Sequence, residues 1–307
     1  MSSDHPSPLV VCAGIAVLDH VYRMKRFPAP GSKTRAREFL IVGGGCAANA
    51  AVAIARLGGR TRFAAPLGGP AGFDAAGDAI VAGLEHEGVD ASGVARMSGV
   101  ISPTSAIIID ASGERLIVNQ RDEKLTAVRA ADPDTLVADA AAVLADNRFA
   151  EFVLPIATAA RRRGLPVVID GDRPTRASDA LLSAATHVIF AADGLRATAE
   201  IDDLEAALRR IAQHTNAFLA VTDGERGAVW LDGATVRNQP AFRVDAIDTL
   251  AAGDVFHGAF ALALVEGANE AAAMRFAAAT AALKCTRFGG GGAAPKRAEV
   301  EALLAAE

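Results

Sequence analysis

Cysteine, net positive charge and long apolar runs are all scarce in this sequence, and each shortage excludes a class of protein. The cysteines Cys12, Cys46 and Cys285 lie too far apart for a CxxC metal or redox pair. Their sparse, odd number is typical of a reducing cytoplasm. The net charge is −5 and no block of lysine or arginine stands out, so we expect no nucleic-acid partner.

Apolar runs are too short to suggest a membrane segment. The longest uncharged run, residues 39–55, falls just short of a membrane span and contains three consecutive glycines. Residues 1–8 are polar and lack the apolar core of a secretory signal. We therefore expect a soluble, cytoplasmic protein with no membrane partner.

What is present is a globular composition. The 307 residues are 51% hydrophobic and 22% charged, which suits one large α/β domain spanning residues 1–307. Short apolar strands alternate with helical stretches along most of the chain. The pattern predicts strands at 9–14, 62–66, 141–144, 166–170, 187–191 and 218–222, and helices at 46–57, 72–87, 253–266 and 269–284. This alternation indicates a mostly parallel sheet covered by helices on both faces.

Two segments depart from that alternation. Residues 34–42 have strand composition, and 104–110 and 114–119 read as a hairpin around Ala111-Ser112-Gly113. We expect them to form a small separate sheet, with strands within about 15–42 and 98–122, that acts as a lid. Ligands of such folds bind at the carboxyl ends of the parallel strands.

The segment DTLAAGDVFHGAF, residues 248–260, has the most specific chemistry. Its small residues Ala251, Ala252 and Gly253 let the backbone approach a ligand, and the N–H groups of a helix start favour an anion such as a phosphoryl group. Asp254 either takes a proton from an attacking hydroxyl or simply caps the helix. These residues alone leave the two interpretations about even.

The same segment closely resembles the DTxGAGD motif of the PfkB, or ribokinase-like, carbohydrate kinases. A glycine pair with a spaced asparagine, Gly43, Gly44 and Asn49, resembles another motif of that family. The resemblance covers nearly the whole chain and implies a three-layer α/β/α sugar kinase that uses ATP and Mg²⁺. It also implies that Asp254 is the catalytic base, that the amides of residues 251–253 form an anion hole, and that the glycine pair and Asn49 bind the sugar.

Further positions follow from the resemblance. VTDGERGAVW is similar to the family's nucleotide-binding turn, which implies that Thr222, Gly224 and Gly227 lie near ATP, although the two glycines would otherwise read as hairpin residues. Gly289, in the glycine run 289–292, matches a loop near the nucleotide. Asp19 matches a ligand of the sugar hydroxyls.

Metal binding is the point at which the sequence departs from the family. Asp248 matches a position that helps hold a monovalent cation, so a K⁺ site is expected there. The NxxE motif associated with Mg²⁺ is absent, because residues 190–193 read Phe-Ala-Ala-Asp. Asp193 is at best a weak substitute for its glutamate.

A narrower resemblance, to sulfofructose kinases, rests on the segments FPAPGSKTRA, GERLIVN, ADNRF, VIDGD and ALKCTRFGG. It implies phosphorylation of 6-deoxy-6-sulfofructose at its 1-hydroxyl, with Lys33, Asn119 and Arg148 holding the sulfonate. A permanent anion needs a cation, and a guanidinium binds two oxygens at once. Lys33 and Arg148 are equally consistent with ordinary solvated charges. Ribokinase, fructokinase and ketohexokinase activities stay open.

Other classes of protein are weaker alternatives. Residues 43–48 fit the GxGxx[GA] pattern of a dinucleotide-binding oxidoreductase, but the acidic residue expected about 20 positions later is missing until Asp74. A non-catalytic sugar sensor on the same fold is the second alternative, which the intact Asp254 disfavours. We expect a packing role for His257 and for the thiol of Cys46. Because lid strands of this family often pair across a dimer, a homodimer is expected.

Overall fold

The computed structural model describes residues 7–175 and 179–307, so most of the polar segment 1–8 lies outside the described residues. The strands are β1 (Leu9–Ala13), β2 (Val17–Arg23), β3 (Glu38–Gly44), β4 (Arg60–Ala64), β5 (Pro66–Gly69), β6 (Ala95–Ser98), β7 (Thr104–Ile109), β8 (Arg115–Gln120), β9 (Ala142–Asp146), β10 (Val167–Gly171), β11 (His187–Ala191), β12 (Phe218–Thr222), β13 (Ala228–Asp232) and β14 (Thr235–Gln239). The helices are α1 (Cys46–Arg56), α2 (Ala75–His86), α3 (Pro133–Leu136), α4 (Ala150–Arg162), α5 (Ala180–Ala184), α6 (Ala192–Ala199), α7 (Leu204–Ile211), α8 (Ala252–Val265), α9 (Glu270–Cys285) and α10 (Arg297–Ala306).

A central eight-stranded sheet has the order β14-β13-β12-β11-β10-β9-β1-β4. The strands from β12 to β4 are parallel, whereas the β13–β14 hairpin adds two antiparallel strands at one edge. Strands β1, β9 and β10 are buried along their whole length, as expected for parallel strands covered on both faces. The predicted mostly parallel core is confirmed, but the sequence analysis missed the edge hairpin.

Helices cover both faces of this sheet and produce three layers. Along β1, Val10 and Cys12 face the layer of α1, α8 and α9, while Val11 and Ala13 face the layer of α4, α5 and α7. This alternation follows from the two-residue period of a strand. The four predicted helices are confirmed as α1, α2, α8 and α9, with end points that differ by a few residues, and most of their buried apolar residues belong to the first layer.

The second sheet is the lid, with the order β3-β2-β7-β8. The predicted hairpin is β7 and β8, but the strand expected at 34–42 begins only at Glu38 and ends at Gly44. The sequence analysis missed β2, which lies between β3 and β7 and pairs with both. Inward-facing Val21, Ile107 and Ile109 pack against Leu250, so the lid lies over the segment that precedes α8.

The glycine triplet 43–45 begins in the last two residues of the lid strand β3 and leads into α1. A dinucleotide-binding turn would follow a strand of the central sheet, so this position contradicts the oxidoreductase alternative. Among the described residues, we find no helix that combines the length and apolar character needed to cross a bilayer.

Candidate active site

The candidate anion hole is the turn that starts α8. Ala251 adopts a left-handed conformation with φ 62°, which is uncommon for a residue other than glycine and is found mainly at functional sites. The first turn of a helix leaves N–H groups without intrahelical partners, and Gly253 is exposed there. The Ala252 N–H donates a long bond of 3.3 Å to the Thr249 carbonyl. The geometry of the turn is compatible with backbone donors that face an anion, and the assignment of residues 251–253 as an anion hole stays a prediction.

Asp254, in the first turn of α8, meets Asn49 of α1. The Asn49 Nδ2 donates to Asp254 Oδ2 at 2.7 Å, and its Oδ1 accepts from the Gly291 N–H at 3.0 Å. Burial raises the pKa of Asp254, while the bond from Asn49 opposes part of that rise. A general base works best with a pKa near the operating pH, so this environment suits proton abstraction.

His257 lies one turn further along α8, beneath the anion hole. Its Nδ1 is 2.7 Å from the Gly253 carbonyl, and its Nε2 is 3.0 Å from the Ile189 carbonyl and 3.5 Å from Asp170 Oδ1. Burial alone would lower the pKa of His257, but Asp170 and the two carbonyls raise it above its ordinary value. Both ring nitrogens face acceptors, an arrangement that favours the protonated ring and holds the carbonyl of the Gly253–Asp254 peptide. The structure therefore gives His257 hydrogen-bond partners in addition to the packing role expected from the sequence.

Cys46, at the start of α1, borders the same site. Its Sγ lies 3.7 Å from Asp172 Oδ2, and burial raises the pKa of the thiol well above its ordinary value. A thiol that stays protonated is a poor nucleophile. We conclude that Cys46 fills space beside the base, which agrees with the expected packing role.

A cleft of about 690 Å³ opens on the other side of the anion hole. Thr222, Gly224 and Gly227 line one wall, and Ala252 and Gly253 line the end nearest α8. Apolar side chains form much of the remaining wall, including Phe242, Phe256, Ala278 and Ala282. The structure thus brings the predicted nucleotide-binding turn and the predicted anion hole into one cavity, of a size typical of cofactor sites.

Polar lid residues form a row on the inner face of the lid sheet. Asp19 of β2 pairs in register with Ser105 of β7, which pairs with Asn119 of β8. Asn119 Nδ2 donates to Ser105 Oγ at 3.1 Å. Burial raises the pKa of Asp19 to about 6. A Cβ on Gly44 would collide with the Asp19 carboxylate, so glycine is required next to this row, whereas Gly43 has open space around it.

Several basic residues lie near the lid and the end of β10. Arg148 forms an ion pair with Asp172, and its backbone carbonyl accepts from Arg121 Nη1 at 3.3 Å. Burial, and then the charges of Arg148 and Arg121, lower the pKa of Arg173, so these guanidinium groups are close enough to repel one another. Lys33 lies in the exposed loop before β3 and forms no hydrogen bond or ion pair within residues 7–175 and 179–307. The expected position of Lys33 beside Asn119 therefore stays a prediction.

A family model described as pfkB family carbohydrate kinase matches residues 7–297. The chain belongs to this family. It is similar to a ribokinase of Lactococcus lactis, with 28% identity over 292 residues that cover 95% of each chain. A putative ribokinase from Agrobacterium tumefaciens has 38% identity and a TM-score of 0.92, covering 97% of this chain and 98% of that one. Arabidopsis thaliana ribokinase, solved with ribose and ATP, has 25% identity and a TM-score of 0.83, covering 98% and 99%.

The chain is therefore an ATP-dependent carbohydrate kinase of the ribokinase and fructokinase type. Its fold is the ribokinase-like α/β fold with a separate small sheet. Asp254 is not the N-cap of α8, because that position is Ala251 and has no side-chain cap hydrogen bond; the Asp254 carboxylate instead accepts from Asn49 Nδ2. The assignment of individual residues to ATP and sugar remains a prediction.

Asp248, the expected K⁺ ligand of this kinase, already has a cationic partner. Lys284 Nζ lies 3.1 Å from the Asp248 carbonyl and 3.4 Å from its Oδ2. Asp248 Oδ1 and Oδ2 also accept from the N–H groups of Leu250 and Gly289, at 2.8 and 2.9 Å. These residues do not fit a bound monovalent cation, so the expected site is corrected. Sequence reasoning missed Lys284, although it lies within the quoted segment ALKCTRFGG.

Two further residues named in the sequence analysis lie outside the lining of the Thr222 cleft. Gly289 lines a separate cavity of about 380 Å³ together with Gly43, Gly44 and Asn49, and its place near the nucleotide stays a prediction. The side chain of Asp193 is fully exposed and pairs with Arg196 at 3.1 Å. Its carboxylate therefore does not fit a Mg²⁺ ligand in the position of the missing glutamate.

Proposed function

We propose that this kinase transfers the γ-phosphoryl group of ATP to the C1 hydroxyl of a ketose that carries an anionic group at its far end. The compound that fits best is 6-deoxy-6-sulfofructose, which would yield its 1-phosphate. The observation that carries this choice is the cluster of Arg121, Arg148 and Arg173 beside the polar lid row.

In the proposed mechanism, Asp254 takes the proton of the C1 hydroxyl as the oxygen attacks the γ-phosphorus. The new O–P bond forms as the bond to the leaving β-phosphate oxygen breaks, and ADP departs. Backbone N–H groups at the start of α8 stabilise the charge on the transferring group, since positioning and electrostatics supply most of the acceleration in phosphoryl transfer. We also propose that ATP binds as its Mg²⁺ complex.

The inner face of the lid supplies the proposed sugar contacts. Asp19 and Asn119 offer an acceptor and a donor to sugar hydroxyls, next to the Gly43–Gly44 turn and Asn49. Closure of the lid over the bound sugar would exclude water, which otherwise competes as phosphoryl acceptor. The Ser105 side chain hydrogen-bonds to the buried Asp19 carboxylate, and hydroxyl donors from a sugar would stabilise that carboxylate further.

An anionic tail would stabilise the arginine cluster. The charges of Arg148 and Arg121 lower the pKa of Arg173, and a negative group bound among the three side chains would oppose that effect. Asp172 balances Arg148 in the structure, and a sulfonate would share that guanidinium through its own oxygens. Lys33 lies in the exposed loop between the lid strands β2 and β3, and it would join the pocket only if that loop folds toward the arginine cluster.

A neutral sugar is the second candidate. The relatives named above are ribokinases, and a maize protein named Fructokinase-1 is 27% identical over 322 residues. If the substrate is ribose or fructose, the arginine cluster has no part in recognising it. Substrate comparison with a charge-removing variant therefore separates the two candidates.

The test compares kcat/KM for sulfofructose and fructose in Arg148→Met. We expect a loss of about 100-fold with sulfofructose and little change with fructose, because hydrogen bonds to charged groups contribute 1.5–3 kcal/mol. Arg162→Met is the matched control, since Arg162 pairs with Asp134 on an exposed surface. Equal losses with both sugars, or no loss with either, would contradict the proposed anion pocket.

We also propose a homodimer formed through the outer face of the lid. That face exposes Phe39, Ile41, Leu116 and Val118, although most residues of this size are buried in a monomer. The register of the sheet places them together, because Ile41 is opposite His20 and Val118 is opposite Ala106.

A further inference from the structure

Lys284 is fully buried near the end of α9, an uncommon position for a lysine. A buried ammonium group requires oxygen partners. Lys284 Nζ donates to the carbonyl oxygen and to Oδ2 of Asp248. Burial lowers the pKa of Lys284, and the nearby Asp248 carboxylate opposes that effect. The residue is therefore held as one half of a desolvated ion pair.

Asp248 connects three segments at this point. Its Oδ1 accepts from Leu250 in the segment that leads into α8, and its Oδ2 accepts from Gly289 in the glycine run. The N–H groups of Ile247 and Asp248 donate to the Cys285 carbonyl at the end of α9, at 2.8 and 3.1 Å. The Lys284 ammonium thus lies where the end of α9, the glycine run and the segment before the anion hole meet.

Both segments held by Asp248 lead directly to the catalytic groups. The chain passes from Leu250 through Ala251 to the backbone donors of the anion hole. On the other side, the glycine run reaches Asn49 through the Gly291 N–H, and Asn49 holds Asp254. Loss of the positive charge between these segments would leave the Asp248 carboxylate buried without its cation.

We propose that the Lys284 ammonium replaces the monovalent cation expected at Asp248, and that the kinase consequently works without K⁺. A free ion stabilises a site only in proportion to its concentration relative to its dissociation constant. A covalently attached ammonium group is present at every salt composition. Lys284 is thus a positioning residue for the anion hole and for Asp254, and it does not touch the substrate.

The test begins with the unaltered kinase at constant ionic strength. Initial rates are compared in tetramethylammonium, sodium and potassium chloride, with whichever of sulfofructose, fructose and ribose is the best substrate. We expect rates within about twofold of one another, because no exchangeable ion has to bind. A severalfold stimulation by K⁺ would overturn the proposal, and this measurement needs no variant that has to fold.

Two substitutions sharpen the test. Lys284→Ala removes the charge and opens space, so we expect a loss of at least about tenfold in kcat, with partial rescue by K⁺ or NH₄⁺. Lys284→Met removes the charge but fills the space, so the same ions are expected to give no rescue. Lys124→Ala, at an exposed lysine, is the control and stays insensitive to K⁺. Full activity of Lys284→Ala in tetramethylammonium chloride would contradict the proposal.

A second measurement does not depend on the proposed sugar. The thermal unfolding midpoint of Lys284→Ala, without substrate, is expected to rise when KCl replaces tetramethylammonium chloride, while that of the unaltered chain stays the same. A merely structural lysine would give a lower midpoint with no specific response to K⁺. If none of the sugars tested is phosphorylated, the unfolding midpoints still show whether K⁺ binds in place of Lys284. A wrong substrate is therefore distinguishable from a wrong role for Lys284.

Discussion

The two ends of the site are constructed differently. At the phosphoryl-transfer end, the anion hole and Asp254 come from one continuous turn, residues 251–254, which is fixed by the buried helix α8. At the sugar end, Asp19 and Asn119 come from different lid strands and Arg148 from the loop after β9. A rigid, contiguous end suits chemistry common to a family, whereas dispersed side chains suit a substrate that differs among its members.

The largest expected effect comes from a substitution that inactivates the phosphoryl-transfer end and leaves the sugar end intact. Asp254→Asn should lower kcat by about 10³- to 10⁴-fold, because the attacking hydroxyl loses its base. Sugar binding, measured by calorimetry, should be retained. This result would also exclude the non-catalytic sensor.

The matched control is Asp193→Asn, since Asp193 is an exposed aspartate at the start of another helix. Turnover by Asp254→Asn at the unaltered rate would show that another group is the base.

The second prediction concerns how the phosphoryl-transfer end sets the pH dependence. Asp254 acts as a base only when ionised, so kcat/KM should rise with pH through its raised pKa. Asn49→Ala removes a bond that lowers this pKa, and the acidic limb of the profile should move to higher pH. We also expect a loss of about tenfold in kcat at neutral pH, from the missing hydrogen bond to a charged group.

Asn119→Ala, at the sugar end, is the control for this profile. It should raise KM and leave the acidic limb in place, because Asn119 bonds to Ser105 and not to Asp254. An unchanged limb in Asn49→Ala would contradict the assignment of Asp254 as the titrating group.

The third prediction separates the outer face of the lid from its inner face. Val118→Lys places a charge in the proposed dimer contact and should weaken dimerisation by about thirtyfold or more, measured by analytical ultracentrifugation. Phe73→Lys is the control, since Phe73 is 85% exposed and belongs to none of the lid strands. A wild-type chain that sediments as a monomer at all concentrations would contradict the proposed dimer.

The smallest expected effect concerns backbone strain at the anion hole. Ala251→Gly should raise the free energy of unfolding by up to about 1 kcal/mol, because glycine adopts positive φ without the steric cost that alanine has. Glu200→Gly, at φ 56° on the far end of α6, should give a similar gain and thus serves as a control. A destabilised Ala251→Gly, measured by denaturant unfolding, would show that Ala251 is not strained.

The same contrast explains what the sequence could predict. The turn of Asp254 and the Asn49 position were found because each lies in a short continuous motif, although 205 residues separate them. Strand β2 was missed because Asp19 and His20 interrupt its apolar pattern. The burial of Lys284 depends on how α9 packs against a distant loop, and helix composition carries no information about that contact.

Substrate preference distinguishes a ketose kinase with an anion pocket from a kinase that takes a neutral sugar. The measurement is kcat/KM of the wild-type chain for sulfofructose, fructose and ribose, with the product identified by ³¹P NMR. Our account predicts a sulfofructose 1-phosphate product and a preference of about 100-fold over fructose, from charge-assisted bonds to the sulfonate. Equal or faster turnover of fructose or ribose would contradict the anion pocket.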